Sequence, residues 1–403
     1  MLVREHSEPT GAEREIRRRI AASGAITFAE FMEVALYHPD GYYANREPIG
    51  AGGDYFTSPV AHPVFGALVC VQLWTMWQTL GRPDPFWVIE AGAGDGVLAS
   101  DIVDFASRQL LEFSEAIRYA AVDRVSPCNS GEIEWGEIEW VRSTGLPFGG
   151  VVGCVVSNEL LDAMPVHRFA ITEDGPREVY VALDSEDRFV ELLDEPSVAL
   201  ISERVAAIGR ELREGARGEV NSGARPWVAA AAESLERGYV LTVDYGYEVE
   251  ELYSDDRIRG TLQTYYRHTD SGSPYQRIGR QDMTAHVDFT ALIDAGRAVG
   301  LRPVFLTTQR EFLRSLGYDR MEESLAAAGI GSAGRRFNTR SMRRLIDPGG
   351  LGKFRVLVQD KNSGISRADD LIPSAESVAG LVAPLPTEFH LPPVSERSMF
   401  AVR

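Results

Sequence analysis

"FWVIEAGAGDGVLASDIVDF", Phe86 to Phe105, decides the fold. Its opening residues are apolar except Glu90 and read as a strand buried on both faces. From Val97 onward, Leu98, Ile102 and Phe105 fall on one helical face. Between the two, Gly92-Ala93-Gly94-Asp95-Gly96 allows a sharp turn and lets a ligand approach the backbone closely. Strand, glycine turn and helix in that order make the first unit of a parallel α/β sheet. A dinucleotide site expects G-x-G-x-x-G, with the helix amino terminus facing a pyrophosphate. Here the spacing is G-x-G-x-G after a carboxylate. Glu90 would repel a pyrophosphate and suits the cationic amino-acid end of S-adenosylmethionine (SAM). Glu90, Ala91, Gly92 and Gly94 are the expected cofactor contacts.

Working outward, "RYAAVDR", "IEWVRS", "VVGCVVSN" and "YVLTVDYG" read as strands two to five. "LRPVFLT" and "KFRVLVQD" read as closing strands, the latter antiparallel. Helical patterns between strands imply a mostly parallel sheet with helices on both faces. The long insertion at about 170–235 holds a hairpin ("REVYVAL", "RFVELL") and a charged helix from about Val198 to Glu214. Insertions at such a place shape substrate pockets. Ahead of the sheet, "TFAEFMEVALYHPDGYY" starts with Thr27 and Glu30 in capping-box spacing and stops at His38-Pro39. "HPVFGALVCVQLWTMWQTL" puts Phe65, Val69, Leu73, Met76 and Leu80 on one face, with Pro63 in the first turn. The expected division is a helical cap over 1–80, a core over 81–361 and an extension over 362–403. That tail, rich in Ser, Pro and Asp, reads as an extended arm or a partly disordered segment.

With 403 residues and a net charge of -18, the chain is acidic, and its pI is near 4.9. Nucleic acid, which needs a cationic face, is excluded as a partner. An acidic field suits a basic substrate or solubility alone. Cationic charge comes almost wholly from arginine; the lysines are Lys353 and Lys361, neither in a P-loop or Schiff-base setting. Cys70, Cys128 and Cys154 form no metal-binding pair, and Cys70 and Cys154 lie in apolar runs, as in a reduced cytosolic protein. A polar amino terminus and the lack of a roughly 20-residue apolar run predict a soluble, cytoplasmic chain.

Asp123 closes the second strand, where a carboxylate can accept hydrogen bonds from both ribose hydroxyls. NAD sites place an acid there too, so Asp123 does not separate the cofactors. "VVSNELLDAMPVHRF", Val155 to Phe169, leaves the fourth strand and at once presents Asn158, Glu159 and Asp162. Carboxylates at that edge can grip a cationic nitrogen; Glu159 is the first candidate and Asp162 its partner or a helix-start residue. Asn158 can bind backbone or cofactor. His286 can take the acceptor proton, and Asp244 and Tyr245 can line the same cleft. Tyr265 and Tyr266 can wall a planar cation or pack in the core.

"AGGDYFTSPVAHPVFGAL", "VIEAGAGDGVL", "SNELLDAMPVHRF", "LTVDYGY", "GTLQTYYRHT" and "DMTAHVDFTAL" occur in this order. In this the chain, from about Phe28 to about Asp360, resembles the MidA-like SAM-dependent methyltransferases. The resemblance implies a class I methyltransferase: a Rossmann-like, seven-stranded sheet binding SAM at the carboxyl ends of its first strands. It implies arginine N-methylation, in this family of a respiratory complex I subunit. Glu90, Gly92 and Gly94 match the SAM loop and Asp123 the ribose acid. Asp54, Thr57 and Ser58 match a segment expected to fold over the cofactor, Glu159 and Asp162 the N-E-x-x-D segment, and His286 and Asp288 the T-A-H-V-D-F segment. The family's acid after the TSP motif is Val60 here, Ala93 and Asp95 also depart from its loop, and the tail has no counterpart. The methyl acceptor is therefore open: an arginine-containing protein first, another peptide or a small metabolite second, a SAM-binding assembly factor without turnover third.

Overall fold

The computed structural model describes residues 8–44, 57–125, 138–266, 269–270, 272–386 and 390. Its central sheet has seven strands: β1 (Phe86–Ala91), β2 (Ile117–Asp123), β3 (Ile138–Arg142), β4 (Val151–Asn158), β5 (Leu235–Asp244), β6 (Arg302–Thr308) and β7 (Arg355–Lys361). They lie in the order β6-β7-β5-β4-β1-β2-β3. β7, the "KFRVLVQD" strand, is antiparallel to both neighbours, and β1 to β5 pair in parallel. Alternate residues of the strands enter two separate cores. Val88, Cys154, Val156 and Leu241 pack with helices Val64–Thr79 and Val97–Gln109. Ile89, Val155 and Val240 pack on the other face with Trp227, Val228, Phe289 and Leu292. Cover on both faces is why the strands read as unbroken apolar runs.

Helix Val64–Thr79 is buried almost all round, not on the single face its spacing predicts. The tail crosses its outer side: Leu371, Val378 and Ala383 join the same core, and Gln72 Nε2 donates to the Leu371 carbonyl at 3.1 Å. The Gln109 carboxamide donates to Val382 O and accepts from Val382 N, both at 2.8 Å. Through residue 386 the tail is thus a packed strap. It lacks periodicity because side-chain-to-backbone bonds, not a ladder, hold it.

A second sheet joins Ile26–Thr27 to the insertion strands Val166–Thr172, Gly175–Leu183, Phe189–Asp194 and Arg217–Asn221. The expected hairpin is there, pairing Leu183 with Phe189. The insertion helix is shorter than expected, Ala199–Ala207, with Gly209 just beyond it in the left-handed region at φ 74°. Ile26 pairs with Val181 and Thr27 with Tyr180. Helix Phe28–Tyr37 starts with the predicted capping box, Glu30 N–H donating to Thr27 Oγ1 at 3.1 Å and Thr27 N–H to Glu30 Oε2 at 2.9 Å. Its Phe28, Phe31 and Leu36 pack with Val166, Val181 and Met283. The first 80 residues are therefore shared between two bodies: the amino-terminal helices join the insertion, and Val64–Thr79 lies under the central sheet.

Candidate functional site

Strand register brings the predicted residues to one edge. Ala91 pairs with Val122 on one side and Ser157 on the other, and Asn158 pairs with Val243. Strand order reverses between β1 and β4, the place where a crevice opens beyond the carboxyl ends of such a sheet. A cavity of about 610 Å³ lies there, lined on one side by Glu90 to Gly94, Asp123 and Ser143 to Leu146. Asn158, Glu159, Asp162, Tyr245 and His286 line the other.

On the cofactor side, Gly92, Gly94 and Gly96 have φ of 74°, 61° and 74°, which side chains rarely adopt. The turn hangs from β2: Gly92 and Ala93 N–H donate to Val122 O at 2.8 and 3.2 Å. Asp123 Oδ2 accepts from Gly94 N–H at 2.9 Å and Oδ1 from Val125 N–H at 3.0 Å. Each oxygen keeps a further lone pair for a ribose hydroxyl. Glu90 is 3% exposed; burial pushes its pKa up to about 8, against the Tyr119 hydroxyl that donates to it at 2.8 Å. It is poised to lose its proton when a cationic group arrives. Asn158 Oδ1 is buried with no hydrogen-bond partner among the described residues, an acceptor that awaits a donor. The residues fit SAM: the glycine turn, Glu90, Asp123 and Asn158 would hold it.

Thr57 lines the cavity, as do Pro59 and Val60. Ser58 does not: its hydroxyl donates to Gln309 Oε1 at 3.0 Å and its N–H to Glu159 Oε1 at 3.3 Å. Asp54 lies outside the described residues.

On the opposite side, the loop after β4 is gripped from four directions. Glu159 N–H donates to Val243 O at 2.9 Å, and Asp244 Oδ2 accepts from Leu161 and Asp162 N–H at 2.9 and 3.4 Å. Asn221 of the insertion donates to Leu161 O, and Tyr37 of the cap to Ala163 O, each at 2.9 Å. Ala285 N–H donates to Asp162 O at 2.9 Å. Glu159 itself sits at φ 50°, a conformation uncommon outside glycine and concentrated at functional sites. Burial, with the Asp162 charge beside it, pushes its pKa up to about 8, opposed by the Ser58 N–H and the Asn158 amide. Burial likewise raises Asp162 and Asp244. Asp244 acts as an anchor for the loop rather than as a cavity wall.

His286 lines the cavity, but burial, aided by Lys353 and Arg257, lowers its pKa to about 4. At neutral pH it is an uncharged ring packed on Tyr245 and Tyr247 and a weaker proton acceptor than Glu159. Asp288 caps helix Phe289–Ala298, accepting from Ala291 N–H at 2.9 Å, and pairs with Arg204. Tyr265 lines the cavity, whereas Tyr266 lies under the Arg277 guanidinium, so the two do not form one wall. Sequence reasoning missed Tyr37, Tyr43, Asp282 and Lys353, all of which line the cavity; Tyr43 donates to Asp282 Oδ1 at 3.0 Å. Nothing local marks them, since the Tyr37–Tyr43 segment, Asp282 and Lys353 are far apart in sequence.

Strand order, glycine turn and strand-end acid together define a class I SAM-dependent methyltransferase. The family model for S-adenosyl-L-methionine-dependent methyltransferases matches residues 68–307, and this chain belongs to that family. A crystal structure of a Burkholderia thailandensis protein bound to S-adenosyl-homocysteine superposes with a TM-score of 0.75 at 27% identity, covering 91% of this chain and 94% of that one. The protein arginine methyltransferase NDUFAF7 of Danio rerio is 29% identical over 84% of each chain. Its Homo sapiens counterpart is 26% identical over 76% of this chain and 73% of its own. Among the described residues no helix is long and apolar enough to cross a membrane.

Proposed function

We propose that this methyltransferase modifies an arginine side chain of a partner protein, with a respiratory-complex subunit, implied by the family resemblance, as the first acceptor to try. One observation carries the reading: Glu159 and Asp162 face the cavity beside the glycine turn, with no described arginine or lysine in ion-pair contact with either. Two such carboxyls cost several kcal/mol to leave charged and unpaired. A guanidinium, planar and always charged, offers both of them donors. The relatives named as protein arginine methyltransferases support the same choice.

Bound SAM supplies the methyl cation equivalent: a guanidinium nitrogen forms the new N–C bond, the S–C bond breaks with its electron pair going to sulfur, and one N–H proton leaves. Glu159 and Asp162 bind the guanidinium edge, fix its plane and align one nitrogen. Glu159, whose proton affinity lies near the working pH, then takes the released proton. Tyr37, Tyr245 and Phe354 line the cavity around the acceptor nitrogen.

The test is incubation with methyl-labelled SAM and host lysate, followed by mass spectrometry. Label on arginine, lost at least 100-fold in Glu159→Gln while S-adenosyl-homocysteine still binds, is the expected outcome. Label on a metabolite, or unchanged arginine labelling in Glu159→Gln, overturns the proposal.

A further inference from the structure

Gln309, the first residue of helix Gln309–Ser315 after β6, is fully buried. Its polar groups tie three separate segments together. Its N–H donates to Phe354 O at 2.7 Å, its Nε2 to Leu345 O at 2.9 Å, and its Oε1 accepts from Ser58 Oγ at 3.0 Å. A buried amide is costly unless satisfied, and an apolar residue of similar size would fill the space without that cost. What the amide adds is registry for Ser58. The segment Ser58–Ala61 is a single short turn, and Ser58 is its contact with the acceptor loop, through the N–H that meets Glu159 Oε1 at 3.3 Å.

We propose that Gln309 is a positioning residue of the acceptor site: by holding the Ser58 hydroxyl it keeps the Ser58 N–H on Glu159 and so orients that carboxylate. The inference rests on Glu159 serving the acceptor, but the link from Gln309 to Glu159 is a property of the free protein. Glu159 is faced by Asp162 of its own loop, by Asp282 from the strand Asp282–Thr284 and by Asp244 of β5, all of which disfavour its charge. The Asn158 amide and the Ser58 N–H favour it. Of these, the Ser58 N–H depends on Gln309. Releasing it leaves the repulsion intact and removes a donor, so Glu159 holds its proton to higher pH.

The experiment uses the full chain labelled with ¹³C at the glutamate carboxyl carbon, the Glu159 signal being the one absent from Glu159→Gln. Gln309→Met and Ser58→Ala are each expected to raise its titration midpoint by about half to one pH unit. The double variant should rise no further than either single one, because both act through one hydrogen bond. Melting curves identify folded variants; Ser58→Ala, a minimal truncation, remains usable if Gln309→Met does not fold. An unchanged midpoint in a folded variant, or two shifts that add, overturns the proposal. The signal needs no methyl acceptor, so a failure of the arginine reading in the labelling test leaves this result standing, and the reverse also holds.

Discussion

The glycine turn and the loop after β4 touch at Gly92 and Leu160 but are held in opposite ways. The turn takes its fixing hydrogen bonds from one neighbouring strand, at Val122 and Asp123. The loop takes them from β5, the insertion, the Ala285 segment and the cap. The glycine turn therefore takes its shape from little more than one strand-helix-strand unit, whereas the loop proposed to bind the acceptor takes shape only once four distant segments have met. Changes to the supports of the loop should alter methyl transfer while leaving cofactor binding in place.

Asp244→Ala tests this most severely. It orphans the Leu161 and Asp162 N–H groups, at a cost of about 3 kcal/mol. Transfer should fall at least 100-fold while calorimetry finds S-adenosyl-homocysteine affinity within about threefold of wild type; equal loss of both would erase the distinction between the two sites.

Proton linkage gives the next largest effect. Glu90 and Glu159 are both raised to about 8 from 4.5, so the folded protein binds more protons than the unfolded chain between those values. Each group's contribution to stability is greatest at low pH and declines as pH rises from about 4.5 to about 8, by at most about 1.4 kcal/mol per pH unit. Melting of Glu90→Gln should fall less between pH 5 and 8 than that of wild type. The corresponding change for Glu159→Gln should be smaller, because that residue is only partly buried whereas Glu90 is almost wholly shielded. Equal slopes would mean that both carboxyls are equally dry.

Gly92→Ala strains a residue at φ 74° and places a Cβ 2.8 Å from Leu160 Cδ1, costing about 1 kcal/mol or more. Because Leu160 belongs to the acceptor loop, this variant should weaken S-adenosyl-homocysteine binding and transfer together, each several-fold. The mildest change, Tyr37→Phe, removes one hydrogen bond to Ala163 O, worth about 1 kcal/mol. It should raise the acceptor KM several-fold with cofactor affinity unchanged.

The same contrast explains what could be read from the chain alone. Glu90, Gly92 and Gly94 are neighbours in sequence, and Asp123 sits at a strand end, so local pattern sufficed to bring them to one edge of the sheet. The Thr27–Glu30 capping box was legible for the same reason. Glu159 and Asp162 could be picked out by the abrupt end of an apolar strand. Their neighbours Tyr43 and Asp282 could not, because they come together across 239 positions. Burial also changes chemistry that sequence leaves open: His286 reads as a base until its surroundings take its pKa to about 4.

The pairing of Ile26 with Val181 also constrains how the molecule is made. Synthesis starts at the amino end, so this strand emerges long before its partner leaves the ribosome. Phe28, Phe31 and Leu36, wholly or almost wholly shielded in the finished protein, must wait while the first four strands of the central sheet are polymerised. Nascent chains shorter than about 200 residues should therefore present a greasy amino-terminal helix to holdase chaperones and to proteases, and that vulnerability should vanish once the hairpin has been released.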